Sequence, residues 1–119
     1  MHELGLLTSV VAAVTRAAER AGATAVDTVA LRVGTLSGAV PEALLGSWPL
    51  ASAGTVVEGA ALVIESVPAA VWCGACSAER EVDAFFALVC PVCGTPTGRL
   101  LRGREFEVAW VDLTTPEPG

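Results

Sequence analysis

Four cysteines and one histidine carry most of the chemistry open to this chain of 119 residues. The cysteines form two pairs, CGAC (Cys73, Cys76) and CPVC (Cys90, Cys93), with 13 residues between the pairs and Gly94 directly after the last. Each pair sets two thiolates at the tip of a tight turn. Two such turns facing each other make a tetrahedron of soft sulfur donors, the ligand set that suits Zn²⁺. Two disulfides would need an oxidising compartment, and a redox CxxC needs one pair at a helix start. A zinc held by four cysteines has no open position for water, so it is expected to be structural rather than catalytic.

The sole histidine, His2, lies one peptide bond from the amino terminus in the opening MHEL. An end of the chain is where fraying is ordinarily expected. Position gives this imidazole a second use. The Met1 amine, the deprotonated amide nitrogen of His2 and its Nδ1 can close adjacent five- and six-membered rings around one ion. Nickel(II) and copper(II) favour such tetragonal nitrogen sites. A fourth position is left for Glu3, water or a group from another protein. The amine must be free, and a bulky second residue such as histidine normally prevents removal of the initiator methionine.

The elements that must position these groups can be read from periodicity. From Leu6 to Ala21 the residues Leu7, Val10, Val11, Val14, Ala18 and Ala21 recur at helical spacing, and Gly22 supplies a stop. VDTVALRVG alternates as a half-buried strand, with Val29, Leu31 and Val33 on one side and Thr28, Ala30 and Arg32 on the other. A turn over Gly34 to Gly38 leads to Pro41, which suits the first position of a second helix. Pro49 predicts a kink or early end of that helix near Trp48. ALVIESVP reads as a strand ended by Pro68, and residues 68–71, PAAV, as a linker.

Between about residues 72 and 98 periodicity fades into a metal-stapled module, whose few apolar residues are chiefly Val82, Phe85, Phe86 and Leu88. Metal binding is expected to supply much of its folding free energy. Glycine or proline beside each cysteine pair permits the turns. Glu79, Glu81 and Asp83 alternate as on the wet face of a hairpin strand. REFEVAWVDL alternates again, with Phe106, Val108 and Trp110 on one face, and reads as a strand returning to the first sheet.

Composition narrows the function classes. Seven arginines with no lysine stand against 13 acidic residues, a formal charge of −6, so no general attraction to phosphate backbones is expected. Trp48, Trp72 and Trp110 accordingly read as packing residues rather than a stacking platform for bases. No Gly-Lys-Ser/Thr sequence is present, so nucleotide binding is not expected. LGLLTSVVAAV is too short to span a bilayer, and no basic leader precedes Arg16, so the expected address is the cytoplasm.

MHEL, LRVGTLSGAVPEAL, TVVEGAALVIESVP, WCGAC, CPVCG and GREFEV, in that order, resemble the HypA/HybF hydrogenase maturation factors. The resemblance implies an α+β fold of two helices on a three-stranded mixed sheet, with an inserted four-cysteine zinc-ribbon-like domain. It places the nickel-binding domain at residues 1–69 plus 102–119 and the zinc-binding domain at 70–101. It implies that Met1, His2 and Glu3 serve nickel and that Cys73, Cys76, Cys90 and Cys93 hold structural zinc. It further implies a nickel metallochaperone, not an enzyme, that works with the nickel-binding GTPase HypB and serves the large-subunit precursor of [NiFe]-hydrogenase, with urease as a second client in some members. No nucleic-acid partner and no membrane insertion are expected, and monomer and homodimer both stay open. The competing reading is a zinc-ribbon interaction module, for protein or nucleic acid, without a nickel role.

Overall fold

The computed structural model describes residues 2–82 and 88–116. Its elements are α1 (His2–Ala21), β1 (Ala25–Gly34), α2 (Pro41–Ser52), β2 (Ala61–Val67), β3 (Ala70–Cys73), β4 (Ala78–Glu81), β5 (Leu100–Arg102) and β6 (Phe106–Thr114). They divide into two compact units, one of residues Met1–Leu31, Val40–Glu65 and Glu107–Gly119, the other of Arg32–Ala39 and Ser66–Phe106. Among the described residues there are two sheets, β2-β1-β6 and β4-β3-β5. The fold class is α+β, two helices on a mixed three-stranded sheet with a module bearing the four cysteines.

α1 buries Leu7, Val10, Val11, Val14 and Ala18, a stripe at spacings of three and four that each turn of the helix returns to the same side. Full burial of each larger apolar side chain in that stripe contributes roughly 1.5–3 kcal/mol. Ala21, the last residue of the expected stripe, is exposed, because the chain leaves the helix there through Gly22 at φ 66°. The helix begins four residues earlier than Leu6, so His2 lies inside it and not on a loose end. Thr8 Oγ1 donates to the Leu4 carbonyl (2.9 Å), which ties the first turns together.

β1 is the central strand, so it is covered more fully than alternation suggests. Ala30 is as buried as Val29 and Leu31. The pairing directions follow from the strand ends. Thr24 N–H bonds to Thr114 O (2.8 Å) and Gly34 N–H to Glu105 O (2.7 Å), so β1 and β6 are antiparallel. Thr35 N–H bonds to Val67 O (3.0 Å) just beyond the carboxyl ends of β1 and β2, so these two run parallel. Parallel neighbours need a crossover, and α2 supplies it.

Pro49 does not end α2, which continues to Ser52. The carbonyl deprived of its partner is that of Leu45, four residues back. Leu45 and Pro49 are both exposed, so water can satisfy that oxygen. Trp48 anchors the helix from the other side. It is buried, and its Nε1 donates to the Ala60 carbonyl at 2.8 Å. Replacing Trp48 with Phe keeps a ring in place but strands that carbonyl. We expect a loss of about 1–3 kcal/mol, read from denaturant midpoints at unchanged m-value.

Two further expectations fail. Residues 68–71 are no linker, since Ala69, Ala70 and Val71 are fully buried and β3 starts at Ala70. Gly103 approaches them closely, at φ 128°, where an added Cβ would lie 2.6 Å from Ala69 Cβ. β6 alternates at first, but Val108 and Val111, three apart, both line a cleft with Ala13, Val14 and Ala17 of α1. The phase therefore slips after Val108. Trp110 moves to the outer face, is 46% exposed, and donates from Nε1 to Glu65 Oε2 of β2 at 2.8 Å. Asp83, Phe85 and Phe86 lie outside the described residues. No helix is long and apolar enough to cross a membrane among the described residues.

Candidate metal centres

β3 carries Cys73 to the start of the first turn, where β3 and β4 pair in antiparallel register with Cys73 opposite Ala78. Cys76 N–H points at Cys73 Sγ (3.4 Å). The residue that reverses this turn is Ser77, at φ 53°, and not a glycine of the CGAC sequence. A serine in the left-handed region is strained relative to glycine. The second turn uses Gly94 at φ 77°, as the sequence CPVCG suggests. It is closed by Gly94 N–H to Cys90 O and by Cys90 N–H to Thr95 O, both 2.9 Å.

The two turns bring all four Sγ atoms within 4.8 Å of one another. Cys73 and Cys93 are 3.6 Å apart and Cys76 and Cys90 4.0 Å. A tetrahedral zinc with ~2.3 Å bonds to sulfur requires sulfur separations of about 3.8 Å. These two separations lie close to that requirement. Sulfur atoms 3.6 Å apart are also far beyond a disulfide bond of ~2.05 Å, and all four cysteines are free.

Electrostatics within the cluster favours a cation. At Cys93 the Thr95 hydroxyl, 3.1 Å from the sulfur, is the main influence bringing the pKa down to about 6, with the Thr95 N–H and the neighbouring thiols adding to it. Cys90 is also lowered, first by the Cys93 N–H. Cys76 moves the other way. Arg80 draws it down, but hydrogen bonding with Cys93 and Cys73 and loss of hydration outweigh that and leave it at about 11. Four thiolates this close repel one another, so without a metal some remain protonated. A divalent ion bound there would displace those protons and hold all four as thiolates.

The second candidate site is the beginning of α1. His2 is exposed and Glu3 half-buried, with His2 Nδ1 3.7 Å from Glu3 Oε2. Glu3 Oε2 also accepts from the Val40 N–H at 3.4 Å. Val40 is the N-cap of α2 and has no side-chain cap of its own, so Glu3 supplies one from the other helix. The carboxylate is held below its usual pKa, first by its own N–H, against partial loss of hydration, and further by the Val40 N–H and His2. Met1 lies outside the described residues. The first amides of a helix have no helical acceptor, which leaves the His2 nitrogen available at this end.

Two contributors escaped the reading of the sequence. Thr95 was not singled out, although a hydroxyl two residues after a cysteine is placed to bond its sulfur. Arg80 was not singled out either. Its signal was the alternation of Glu79, Arg80 and Glu81, which sends the arginine to the face opposite the two acids.

Comparison with known proteins adds an independent line. The family model described as "Hydrogenase/urease nickel incorporation, metallochaperone, hypA" matches residues 1–113. The chain is 42% identical over 118 residues to hydrogenase maturation factor HypA of Roseiflexus sp., covering 99% of this chain and 96% of that protein. It is 45% identical over 119 residues to the protein of the same name from Streptomyces avermitilis, covering 97% and 91%. Its fold is similar to the solution structure of the Ni metallochaperone HypA from Helicobacter pylori, with a TM-score of 0.68 at 18% identity over 96% of this chain and 98% of that one.

Proposed function

This chain belongs to the HypA family of hydrogenase maturation, and on that premise we propose that it is a carrier that binds Ni(II) through Met1, His2 and Glu3. The observation that most supports this is the family match from residue 1 onward, which takes in the terminal residues whose chelate chemistry suits nickel. The cargo is handed on for insertion into the large-subunit precursor of [NiFe]-hydrogenase, in concert with the GTPase HypB, and into urease where that is the client. The protein acts in the cytoplasm and catalyses no reaction of its own.

The local physics of the terminus is consistent with carriage. A helix start carries the equivalent of about half a positive charge, which by itself opposes a cation. The chelate avoids the conflict because its central donor is an amide that has lost its proton, and negative charge is favoured at this end of a helix. Glu3 adds a second negative charge in the same turn. The site is short, its imidazole is exposed, and its fourth position is open to a partner's donor. These are properties of an ion that must leave again.

Cys73, Cys76, Cys90 and Cys93 hold zinc as a staple for a domain of residues 70–101. With four sulfur ligands the ion is coordinatively closed, so it shapes the domain and takes no part in receiving nickel.

Complementation tests the assignment. In a nickel-limited, hydrogenase-producing host that lacks its own family member, the wild-type chain should restore hydrogenase activity. His2→Ala should restore at most about a tenth as much, given the ~2.7 kcal/mol of nickel affinity lost with one chelate arm. Equal restoration by both would remove the terminal site from the pathway.

A further inference from the structure

Arg80 sits where a cation has no ordinary reason to be. β4 alternates, with Glu79 and Glu81 exposed and Ala78 and Arg80 half-buried. In the register with β3, Ala78 lies opposite Cys73 and Arg80 opposite Val71. Residues directly opposite one another in an antiparallel pair share a face, and residues two apart on a strand do as well. Arg80 therefore extends from the face of the hairpin that carries Cys73. The two acids beside it in sequence face the other way, and Glu79 is engaged at 2.8 Å by Arg102 of β5.

The Nε of Arg80 is withdrawn from solvent and has no hydrogen-bond partner among the described residues. Withdrawing part of a guanidinium from water is costly unless the rest of it meets negative charge. On the face that Arg80 shares with Cys73, the four-cysteine cluster supplies that charge once its thiols ionise.

We propose that Arg80 is a positioning residue of the four-cysteine centre, its guanidinium reaching toward the sulfur cluster on the face that carries Cys73 and supplying N–H donors and positive charge to the thiolates. This rests on the zinc reading of the four cysteines. Four thiolates around one Zn²⁺ leave a net charge of −2, which a guanidinium at the cluster offsets directly. Hydrogen bonds to ligand atoms hold their orientation and slow their release. Thiolates that accept such bonds are also less electron-rich, which raises the energy of ligand-to-metal charge transfer.

The test uses the full chain as wild type and as Arg80→Lys, Arg80→Gln and Arg80→Met. Zinc content by elemental analysis comes first, and less than stoichiometric zinc in the wild type would overturn the zinc reading and this proposal with it. Zinc release to a chromogenic chelator is then timed, and cobalt(II)-substituted protein is examined by absorption. The expected order of release is wild type slowest, Arg80→Lys next, and the two neutral variants fastest, by about 10-fold to 100-fold. The sulfur-to-cobalt bands should move to lower energy in the neutral variants, a change that lost packing alone would not produce. Release within twofold of wild type and unmoved bands in either neutral variant would overturn the role of Arg80 while leaving the zinc site intact. If neither neutral variant takes up metal, Arg80→Lys decides: restored uptake with faster release supports the charge role, and failure of uptake in all three overturns it.

Discussion

Cys73→Ala should abolish stoichiometric zinc binding and unfold the module around it. Cys73 is fully buried and Cys90 nearly so, and among the described residues the other buried apolar residues of that unit are small, chiefly Ala69, Ala70 and Val71. Such a core cannot offset the conformational entropy of ordering the turns, about 1–2 kcal/mol per residue. Structural zinc supplies roughly 10–16 kcal/mol of folding free energy in comparable small sites. Removal of one ligand forfeits much of that. The expected spectrum retains dispersed amide signals for α1, α2 and β2, while those of β3, β4 and β5 collapse, and a strong chelator reproduces the same spectrum in the wild type. Cys93→Ala should be milder, because Cys93 is exposed and water can take the vacated position on the ion. Normal zinc content and undisturbed β3–β5 signals in Cys73→Ala would contradict the staple.

His2→Ala should weaken nickel binding by at least about 100-fold, a loss of ~2.7 kcal/mol, with little change in thermal stability. In the proposed chelate the imidazole is the arm that closes the second ring. Without it the amide has no reason to give up its proton, and only the amine remains as a local nitrogen donor. The side chain is exposed, so its removal leaves no cavity. Glu3→Gln should behave differently. It keeps an oxygen near Val40 but loses the charge, so its effect on nickel should be smaller, near tenfold or ~1.4 kcal/mol. Glu3→Ala should in addition loosen the start of α2, since its carboxylate accepts the Val40 N–H. Calorimetric titration with nickel, alongside melting curves, separates these effects.

Much of this was legible because the signals are local. The stripe from Leu7 to Ala18, Pro41 at the head of a helix and the spacing of two CxxC pairs each depend on a few neighbouring residues, and each appears in the structure where expected. What the sequence hid depends on partners distant in the chain. Ala30 is buried because β1 is a central strand, and Trp110 faces outward because Val108 and Val111 both turn toward α1. Pro49 is tolerated because Leu45 lies on the wet side and Trp48 is held by Ala60. PAAV, four small apolar residues after a proline, looked like a linker because small residues suit both a flexible hinge and a tightly covered strand. At the cysteine centre the gathering of the four cysteines was readable from spacing, whereas the place of Arg80 emerged only once the β3–β4 register fixed its face.

The proposed nickel site requires the amino group of Met1 itself as a ligand. Nickel titration of the wild type, with free amine verified by mass, should be compared with a variant carrying Gly-Ser-Gly-Ser ahead of Met1. A longer extension is needed because a single added residue would leave amine, amides and imidazole able to close a new chelate. The wild type should bind one nickel with the d–d absorption of a planar nitrogen site, and the extended chain should lose both that absorption and the high affinity while its zinc content and melting curve stay the same. Identical nickel affinity and absorption in the two proteins would contradict the claim.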